Sequence, residues 1–211
     1  MQSTEDIKKL LIITGPQGSG NHLWSKIFAM HPIVVGWPML RKEWQGHHEE
    51  PFNKYWQQPE KLQELDTDKK HHFVTSISCP YYKDKEPHVP KYAEFISEAK
   101  KKFDSVVVCI IGRDRDILNI QQTRVRKGHT TPIALEQFDK LADVKFISTE
   151  LLFLYGEQYL KALQKELDFP VAWNHATLIK DYLKENTNKK YLIEPDKGQF
   201  DDEVEKACAE S

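Results

Sequence analysis

Apolar and polar positions along the chain form blocks that predict strands, each followed by a helix. Four stretches, at residues 10–13, 73–78, 105–111 and 144–148, have the apolar or alternating pattern of buried strands, and a segment with helical spacing follows each of them. The stretch at 105–111 is continuously apolar, as expected for a central parallel strand that is covered on both faces. This alternation predicts an α/β fold with three layers, α/β/α, around a mostly parallel central sheet.

A glycine-rich stretch, Gly15–His22, connects the first strand to the first helix and has glycines at positions 15, 18 and 20. A strand, a glycine-rich loop and a helix in this order present backbone N–H groups and a helix N-terminus to an anion. The frame Gly-x-x-x-x-Gly is that of a P-loop, which predicts a fold like that of the P-loop NTPases. The Lys and the Ser or Thr that complete a P-loop are replaced by Asn21 and His22. We therefore expect phosphate binding through the backbone, without the usual chemistry of a magnesium triphosphate.

Weaker patterns predict the remaining elements. They are a helix from about Asn21 to Met30, a short strand at 33–37, a surface helix or long loop at 51–70, a helix at 90–103, a loop and short helix at 130–143 with Leu135, Phe138 and Leu141 on one face, a long helix at 151–167 and a last helix at 174–184.

Length, charge and cysteine content narrow the class of protein. The 211 residues predict one domain, 1–211, with a short leader at 1–9 and a tail at 195–211. The net charge of −2 gives no overall attraction to nucleic acid or membrane surfaces. Three widely spaced cysteines indicate a reducing compartment. No apolar run approaches the ~20 residues of a membrane span, and the first residues lack the core of a signal peptide, so we expect a cytoplasmic protein without a membrane partner.

The glycine-rich stretch, followed by Met30-His31-Pro32, resembles the opening motif of the sulfotransferases that use 3'-phosphoadenosine 5'-phosphosulfate (PAPS). The heparan-type subgroup has the most similar loop. The resemblance continues in order from Leu10 to Pro170, and it implies PAPS, or its product PAP, as the cofactor. Gly18 falls where that family has its catalytic Lys or Arg. The loop residues that the resemblance places on the cofactor are Gln17, Gly18, Ser19, Gly20, Asn21, His22 and Leu23.

A second motif follows the strand at 105–111. Arg113-Asp114 matches the start of the family's R-[ND]-P-x-D-x-x-x-S segment, whose Arg and Ser hold the 3'-phosphate. The serine position falls on Ile120 or Gln121, and only Gln121 can donate a hydrogen bond. The alternative is that Arg113 and its charged neighbours cap a helix. Lys197, before a glycine, matches a late basic loop of the family that closes over the cofactor, although an ordinary turn explains this pair equally well.

The resemblance also implies a catalytic base and a catalytic cation. Glu43 is the candidate base that takes the proton from the acceptor, and the alternative is a glutamate in a solvated loop. The histidine base of the cytosolic sulfotransferases is replaced by Ser78. His22 is the candidate that supplies the cation missing at Gly18, with Lys26 and Lys42 as further possibilities. The pair His47-His48 suggests a metal site, but adjacent histidines in a loop favour a solvated segment, so no metal is expected.

These residues together predict a sulfotransferase that moves a sulfuryl group from PAPS to a hydroxyl or amine of a small molecule or glycan. Two alternatives remain. One is a non-catalytic module that binds a nucleotide or a sulfated ligand on the same fold, and the other is a nucleoside or nucleotide kinase with a degenerate P-loop. Dependence on magnesium separates the kinase from the other two, and turnover separates the enzyme from the binding module.

Overall fold

A computed structural model describes residues 7–37, 50–68, 70–83, 86–126 and 128–173. Within these ranges a five-stranded parallel sheet has the order β2–β3–β1–β6–β7, and β4 and β5 form a separate antiparallel hairpin. The strands are β1 (Lys9–Pro16), β2 (Val34–Val35), β3 (His72–Cys79), β4 (Tyr81–Lys83), β5 (Glu86–His88), β6 (Ser105–Gly112) and β7 (Val144–Ser148).

Helices cover both faces of the sheet. They are α1 (Asn21–Ala29), α2 (Asn53–Gln57), α3 (Tyr92–Lys102), α4 (Arg115–Arg126), α5 (Thr131–Phe138), α6 (Thr149–Tyr155) and α7 (Glu157–Leu167), with a 3-10 helix at Pro59–Glu64. One core cluster packs α2, α3 and α5 against the first face, and the other packs α1, α6 and α7 against the second. The predicted three-layer α/β/α fold with a mostly parallel sheet is therefore confirmed.

The central strand β1 lies between β3 and β6, with Thr14 aligned with Ile77 on one side and Ile110 on the other. Because all five strands are parallel, their carboxyl ends meet at one edge of the sheet. From that edge β1 leads into α1 on one face, whereas β3 leads through the hairpin into α3 on the opposite face. Such a divergence opens a crevice at the carboxyl edge, which is the usual ligand site of open α/β sheets.

The prediction of one long helix at 151–167 is wrong, because Gly156 divides this segment into α6 and α7. Gly156 has φ 48° and ψ −119°, which interrupts the helical backbone and is strongly disfavoured for a residue with a Cβ. Ser148 starts α6, since its hydroxyl accepts a hydrogen bond from the N–H of Leu151 at 3.2 Å. The two helices therefore keep separate directions.

The structure refines two expectations about burial. The segment at 51–70 has many exposed residues among those described, as expected of a surface element, but it also has a buried face, where Trp56 stacks on Phe95 with ring centroids 3.8 Å apart. In α5, Leu135 is 54% exposed, and Ala134 faces the core with Phe138 instead. Aromatic residues among many polar ones give little periodic signal, so packing against α3 decides the burial of the first segment.

Several predicted features lie outside the described residues. They are most of the leader, Lys42, Glu43, His47, His48, the helix at 174–184, Lys197 and the tail at 195–211. No helix in the part of the chain that the structure describes has the length and apolar character needed to cross a membrane.

Candidate functional site

Four neighbouring strands deliver polar groups to the carboxyl edge of the sheet. The end of β1 continues into the glycine-rich loop, β3 ends near Ser78, β6 is followed by Arg113 and β7 by Thr149. Each group contacts the loop or the first turn of α1, as described below. The predicted convergence of the loop and Arg113 thus follows from the parallel order of the strands.

Thr149, which follows β7, fixes the position of the glycine-rich loop. Its hydroxyl donates a hydrogen bond to the carbonyl oxygen of Ser19 at 2.8 Å and accepts one from the indole Nε1 of Trp24 at 3.1 Å. The N–H of Ser19 closes a turn onto the carbonyl of Pro16 at 3.0 Å. Gly15 permits this turn, because a Cβ there would lie well inside contact distance of the Ser19 side chain. All these groups are buried, so the loop is built as a rigid element.

A buried glutamine fixes the loop from the opposite side. Gln122, 1% exposed, donates from Nε2 to the carbonyl of Gln17 at 2.8 Å. Its Oε1 accepts from the backbone N–H groups of Thr130 and Thr131 at 2.8 and 3.2 Å. The Gln17 side chain also faces this region, where its Oε1 accepts from the Thr130 hydroxyl at 3.3 Å. The Gln17 side chain therefore points towards α5, so Gln17 contributes its backbone rather than its side chain to the loop.

Arg113 joins the two predicted motifs in one site. Its Nη1 donates hydrogen bonds to the carbonyl oxygen of Gly18 and, at 3.1 Å, to Oε1 of Gln121. The neighbouring Asp114 does the capping, because its Oδ1 accepts from the N–H groups of Asp116 and Ile117, each at 3.0 Å. Thus Asp114 starts α4, and the Arg113 guanidinium is placed at the loop.

Gln121 occupies the space above Gly18. A Cβ placed on Gly18 would lie 2.9 Å from both Cδ and Oε1 of Gln121, and Gly18 has φ +87°. A side chain at position 18 would therefore be strained and would have to displace Gln121. At the position where the resembled family carries its catalytic cation, the positive φ disfavours any side chain, and the flexible end of Gln121 would have to move aside for one.

The first turn of α1 points its backbone N–H groups at the same edge. Gly20 precedes the helix and has no capping side chain, and the first turn contains no acidic residue. The first N–H groups of a helix lack partners within it, and the helix dipole adds partial positive charge. The groups concerned belong to Asn21, His22 and Leu23, which were predicted to bind the cofactor.

His22 and Lys26 lie one turn apart on α1. The His22 ring contacts the ring of buried Trp37 edge to face, with centroids 4.6 Å apart. Burial lowers the pKa of the Lys26 amine below its usual value. Both residues were candidates for the missing cation, and Lys26 lies a full helical turn further from the loop than His22.

Glu50 is a buried acid that the sequence did not single out. Its Oε2 accepts a hydrogen bond from the N–H of Phe52 at 2.9 Å, and its Oε1 has no hydrogen-bond partner. Burial raises the pKa of Glu50 to about 8, while the Thr75 hydroxyl and the backbone N–H groups of Phe52 and Ser76 oppose the rise. Glu50 therefore lies at the edge of β3 and retains its proton at neutral pH.

A group of polar side chains lies where α1 packs against β3 beside the loop. Asn21 Nδ2 donates to the Ser78 hydroxyl at 3.2 Å. Two turns further along α1, Ala29 lies beside Val74, because a Cβ on Gly36 would touch both side chains.

Ser25 lies one helical turn after Asn21, and Ser76 lies two residues before Ser78, so both lie on the sides of α1 and β3 that carry the contact between Asn21 and Ser78. We call Asn21, Ser25, Ser76 and Ser78 the polar seam. In the seam, Asn21 Oδ1, Ser25 Oγ and Ser76 Oγ are buried without a hydrogen-bond partner. Buried polar atoms of this kind usually bind an ordered water or a polar ligand group.

The structure thus brings Gly18, Arg113 and Gln121 together, as the two motifs predicted. It adds Gln122 and Glu50, which the sequence analysis missed. Nothing in the sequence distinguished Gln122, because a buried glutamine in a helix rich in polar residues has the same sequence pattern as a solvent-exposed glutamine. Glu50 had a weak signal, since it precedes Pro51 and Phe52, but its acidic and histidine-rich neighbours favoured a solvated loop.

No protein-family model matches the chain, and no curated protein matches it significantly. Within the described ranges, no group of three or more histidine, cysteine, aspartate or glutamate side chains is arranged to hold a metal ion. The function therefore has to be inferred from the site itself.

Proposed function

We propose that the chain binds a 3'-phosphorylated adenine nucleotide of the PAPS type and transfers its sulfuryl group to a hydroxyl or amine acceptor. The observation that carries the proposal is the hydrogen bond from Arg113 to the carbonyl of Gly18. It places a guanidinium, the side chain best suited to a phosphate, directly on an anion-binding loop. Two phosphate-binding elements in contact suit a ligand with two phosphate groups.

In this proposal the two phosphates have separate partners. The N–H groups of Asn21, His22 and Leu23 hold the 5'-phosphate, and Arg113 with Gln121 holds the 3'-phosphate. A phosphate dianion is a stronger acceptor than a peptide carbonyl, so Arg113 exchanges its bond to Gly18 for phosphate oxygens when the nucleotide binds. PAPS supplies the sulfuryl group, and its reaction needs positioning and charge stabilisation rather than a metal.

Glu50 is the acid–base group of this proposal. The acceptor proton has to leave as the acceptor oxygen or nitrogen bonds to sulfur and the bond to the 5'-phosphate breaks. A carboxyl group with a pKa of about 8 is mostly protonated at neutral pH, and its ionised form, which grows as the pH rises towards 8, is the form that can take the acceptor proton. Glu50 lies beside the backbone of Ser76 on β3, two residues before Ser78, which accepts a hydrogen bond from Asn21 at the loop. The unpartnered polar atoms of the seam offer sites for ordered waters. Glu43, the earlier candidate, remains a prediction outside the described residues.

One observation favours a second function. Position 18 is a glycine with a positive φ, so the loop has no lysine at the position beside the reacting phosphate. Loss of one such electrostatic group lowers rates by roughly 10²–10³-fold. A module that binds the nucleotide without turning it over is therefore the second candidate.

Calorimetric titration tests the proposal. We expect PAP to bind without magnesium, and adenosine 5'-monophosphate, which lacks the 3'-phosphate, to bind at least roughly tenfold more weakly because a charge-assisted contact is lost. Binding of magnesium ATP in preference to PAP would overturn the proposal in favour of a kinase. Conversion of PAPS to PAP in the presence of acceptor mixtures then separates the enzyme from the binding module.

A further inference from the structure

A second cavity lies at the amino edge of the sheet, opposite the glycine-rich loop. It has a volume of about 520 Å³ and is bounded by the starts of β1 and β3, the segment after α1 and the end of α7. The ionisable side chains that line it are Lys9, His31, His72, Lys161, Lys165 and Asp168. Three of the six are lysines and one is an aspartate, although the whole chain has 30 lysine and arginine residues against 32 aspartate and glutamate residues.

Two of these lysines are already neutralised. Lys9 pairs with the carboxylate of Asp168 and also donates to its backbone carbonyl at 2.9 Å. Lys161 pairs with Glu157 at 2.7 Å and lies over the Trp173 ring, 4.5 Å from its centroid. Asp168 and Glu157 thus pair with the two lysines and hold their side chains in place along the wall of the cavity.

Lys165 carries the remaining positive charge, and the rings of His31 and His72 line the cavity with it. In the described part of the chain, no carboxylate lies within ion-pair distance of Lys165. Lys165, in the last turn of α7, therefore brings to the cavity a positive charge that no carboxylate among the described residues pairs with. An anion is the ligand that would complete this arrangement.

The pKa of His72 depends on the charged groups around the cavity. Burial lowers its pKa, and Lys9 on β1, His71 on β3 and His31 after α1 lower it further, whereas Asp168 after α7 raises it. His72 is therefore neutral at pH 7, because its positive neighbours disfavour a second charge. An anion in the cavity would offset these neighbours, so that His72 takes up a proton as the anion binds.

The remaining wall is apolar. Ile33, Phe169 and Pro170 line the cavity, and the Phe169 ring contacts the His72 ring at 5.6 Å. A ligand that fits has an anionic head for Lys165 and the histidines and a ring or other apolar part for this wall. We propose that the amino-edge cavity binds a small organic phosphate monoester, as a second anion site that is independent of the nucleotide site at the carboxyl edge.

Nuclear magnetic resonance of the His72 ring in the full chain tests this proposal, with phenyl phosphate as the probe and His72→Gln to assign the signal. We expect a saturable shift and a raised His72 pKa on addition of phenyl phosphate, in the wild type and equally in Arg113→Ala. Affinity should fall as pH rises through the raised pKa, because the bound anion requires the proton. Lys165→Ala should weaken binding about fivefold, since one charge near the phosphate is lost.

Lys140→Ala is the matched control, because it removes a lysine that pairs with Glu136 on α5, far along the chain from the cavity. It should leave the affinity unchanged. The proposal is overturned if the shift does not saturate, if sodium chloride at equal ionic strength reproduces it, or if Lys165→Ala and Lys140→Ala behave alike. Loss of the shift in Arg113→Ala would also overturn it and would assign the phosphate to the carboxyl edge.

Discussion

Arg113 Nη1 donates a hydrogen bond to the carbonyl oxygen of Gly18, a residue that lies 95 positions earlier in the chain. This contact joins the end of β6 to the loop after β1, and Gln121 completes it from α4 at 3.1 Å. A cation held at an anion-binding loop is the central relationship of the proposed site, and the predictions below test its parts separately.

Replacement of Gly18 should strain the loop. Gly18→Ala places a Cβ at φ +87° and against Gln121, so we expect the free energy of unfolding to fall by about 1–3 kcal/mol in urea denaturation. The double variant Gly18→Ala, Gln121→Ala removes the contact but retains the backbone strain, so it should recover part of the loss. Equal stability of Gly18→Ala and the wild type would show that position 18 tolerates a side chain, and would remove the argument against a lysine there.

Gln122 should matter more for stability than Gln121. Gln122→Ala leaves the Gln17 carbonyl and the Thr130 N–H buried without their partner, at a cost of about 2–4 kcal/mol in the free energy of unfolding. Gln121→Ala, on the same helix, removes one contact to Arg113 and should change stability by less than about 1 kcal/mol. The two variants compared by thermal and urea unfolding test this order, and a reversed order would contradict the described loop anchoring.

Glu50 should make stability depend on pH. The carboxyl group ionises at about 4.5 in the unfolded chain and at about 8 in the folded one, so the folded state holds a proton that the unfolded state has released. As far as this group is concerned, the folded protein is most stable below pH 4.5. Its free energy of unfolding falls as the pH rises towards 8, by about 1.4 kcal/mol per pH unit. Glu50→Gln removes this dependence and should be progressively more stable than the wild type between pH 5 and pH 8.

Glu98→Gln is the control for this measurement. The Glu98 side chain is 19% exposed, and its pKa is lowered, first by the hydrogen bond from Lys101. Glu98 makes the free energy of unfolding depend on pH with the opposite sign. Because its pKa is lowered in the folded state, it stabilises that state at a pH above its unfolded pKa, and this stabilisation is lost as the pH falls. If Glu50→Gln and Glu98→Gln have the same pH profile, Glu50 is not a buried protonated acid.

The layers of the fold were predictable because they depend on local patterns. The apolar runs of β1 and β6 are long enough to identify strands without tertiary information, and the glycines of the loop mark the turn into α1. The second motif also selected Arg113 and Gln121, whose backbones lie about two helical turns apart, and the long arginine side chain spans this distance to contact Gln121. Parallel strands then place Arg113 at the edge that carries the loop.

Other features depend on contacts between distant segments. Glu50 stands in a charged stretch that is typical of solvated loops, and only its packing against Thr75 and Ser76 of β3 shows that it is buried. Gly156 breaks a segment whose apolar spacing continues from α6 into α7, so periodicity alone predicts one helix. In both cases the decisive energy comes from tertiary packing, which the local pattern does not contain.

The measurement that tests the central claim most directly is the affinity of Arg113→Ala and Arg113→Lys for PAP and for adenosine 5'-monophosphate, by calorimetry without magnesium. The account predicts that Arg113→Ala weakens PAP binding about a hundredfold, with Arg113→Lys intermediate, and changes binding of the monophosphate by less than about threefold. That difference would assign Arg113 to the 3'-phosphate. Equal losses for both nucleotides would contradict it, because Arg113 would then only hold the loop through Gly18.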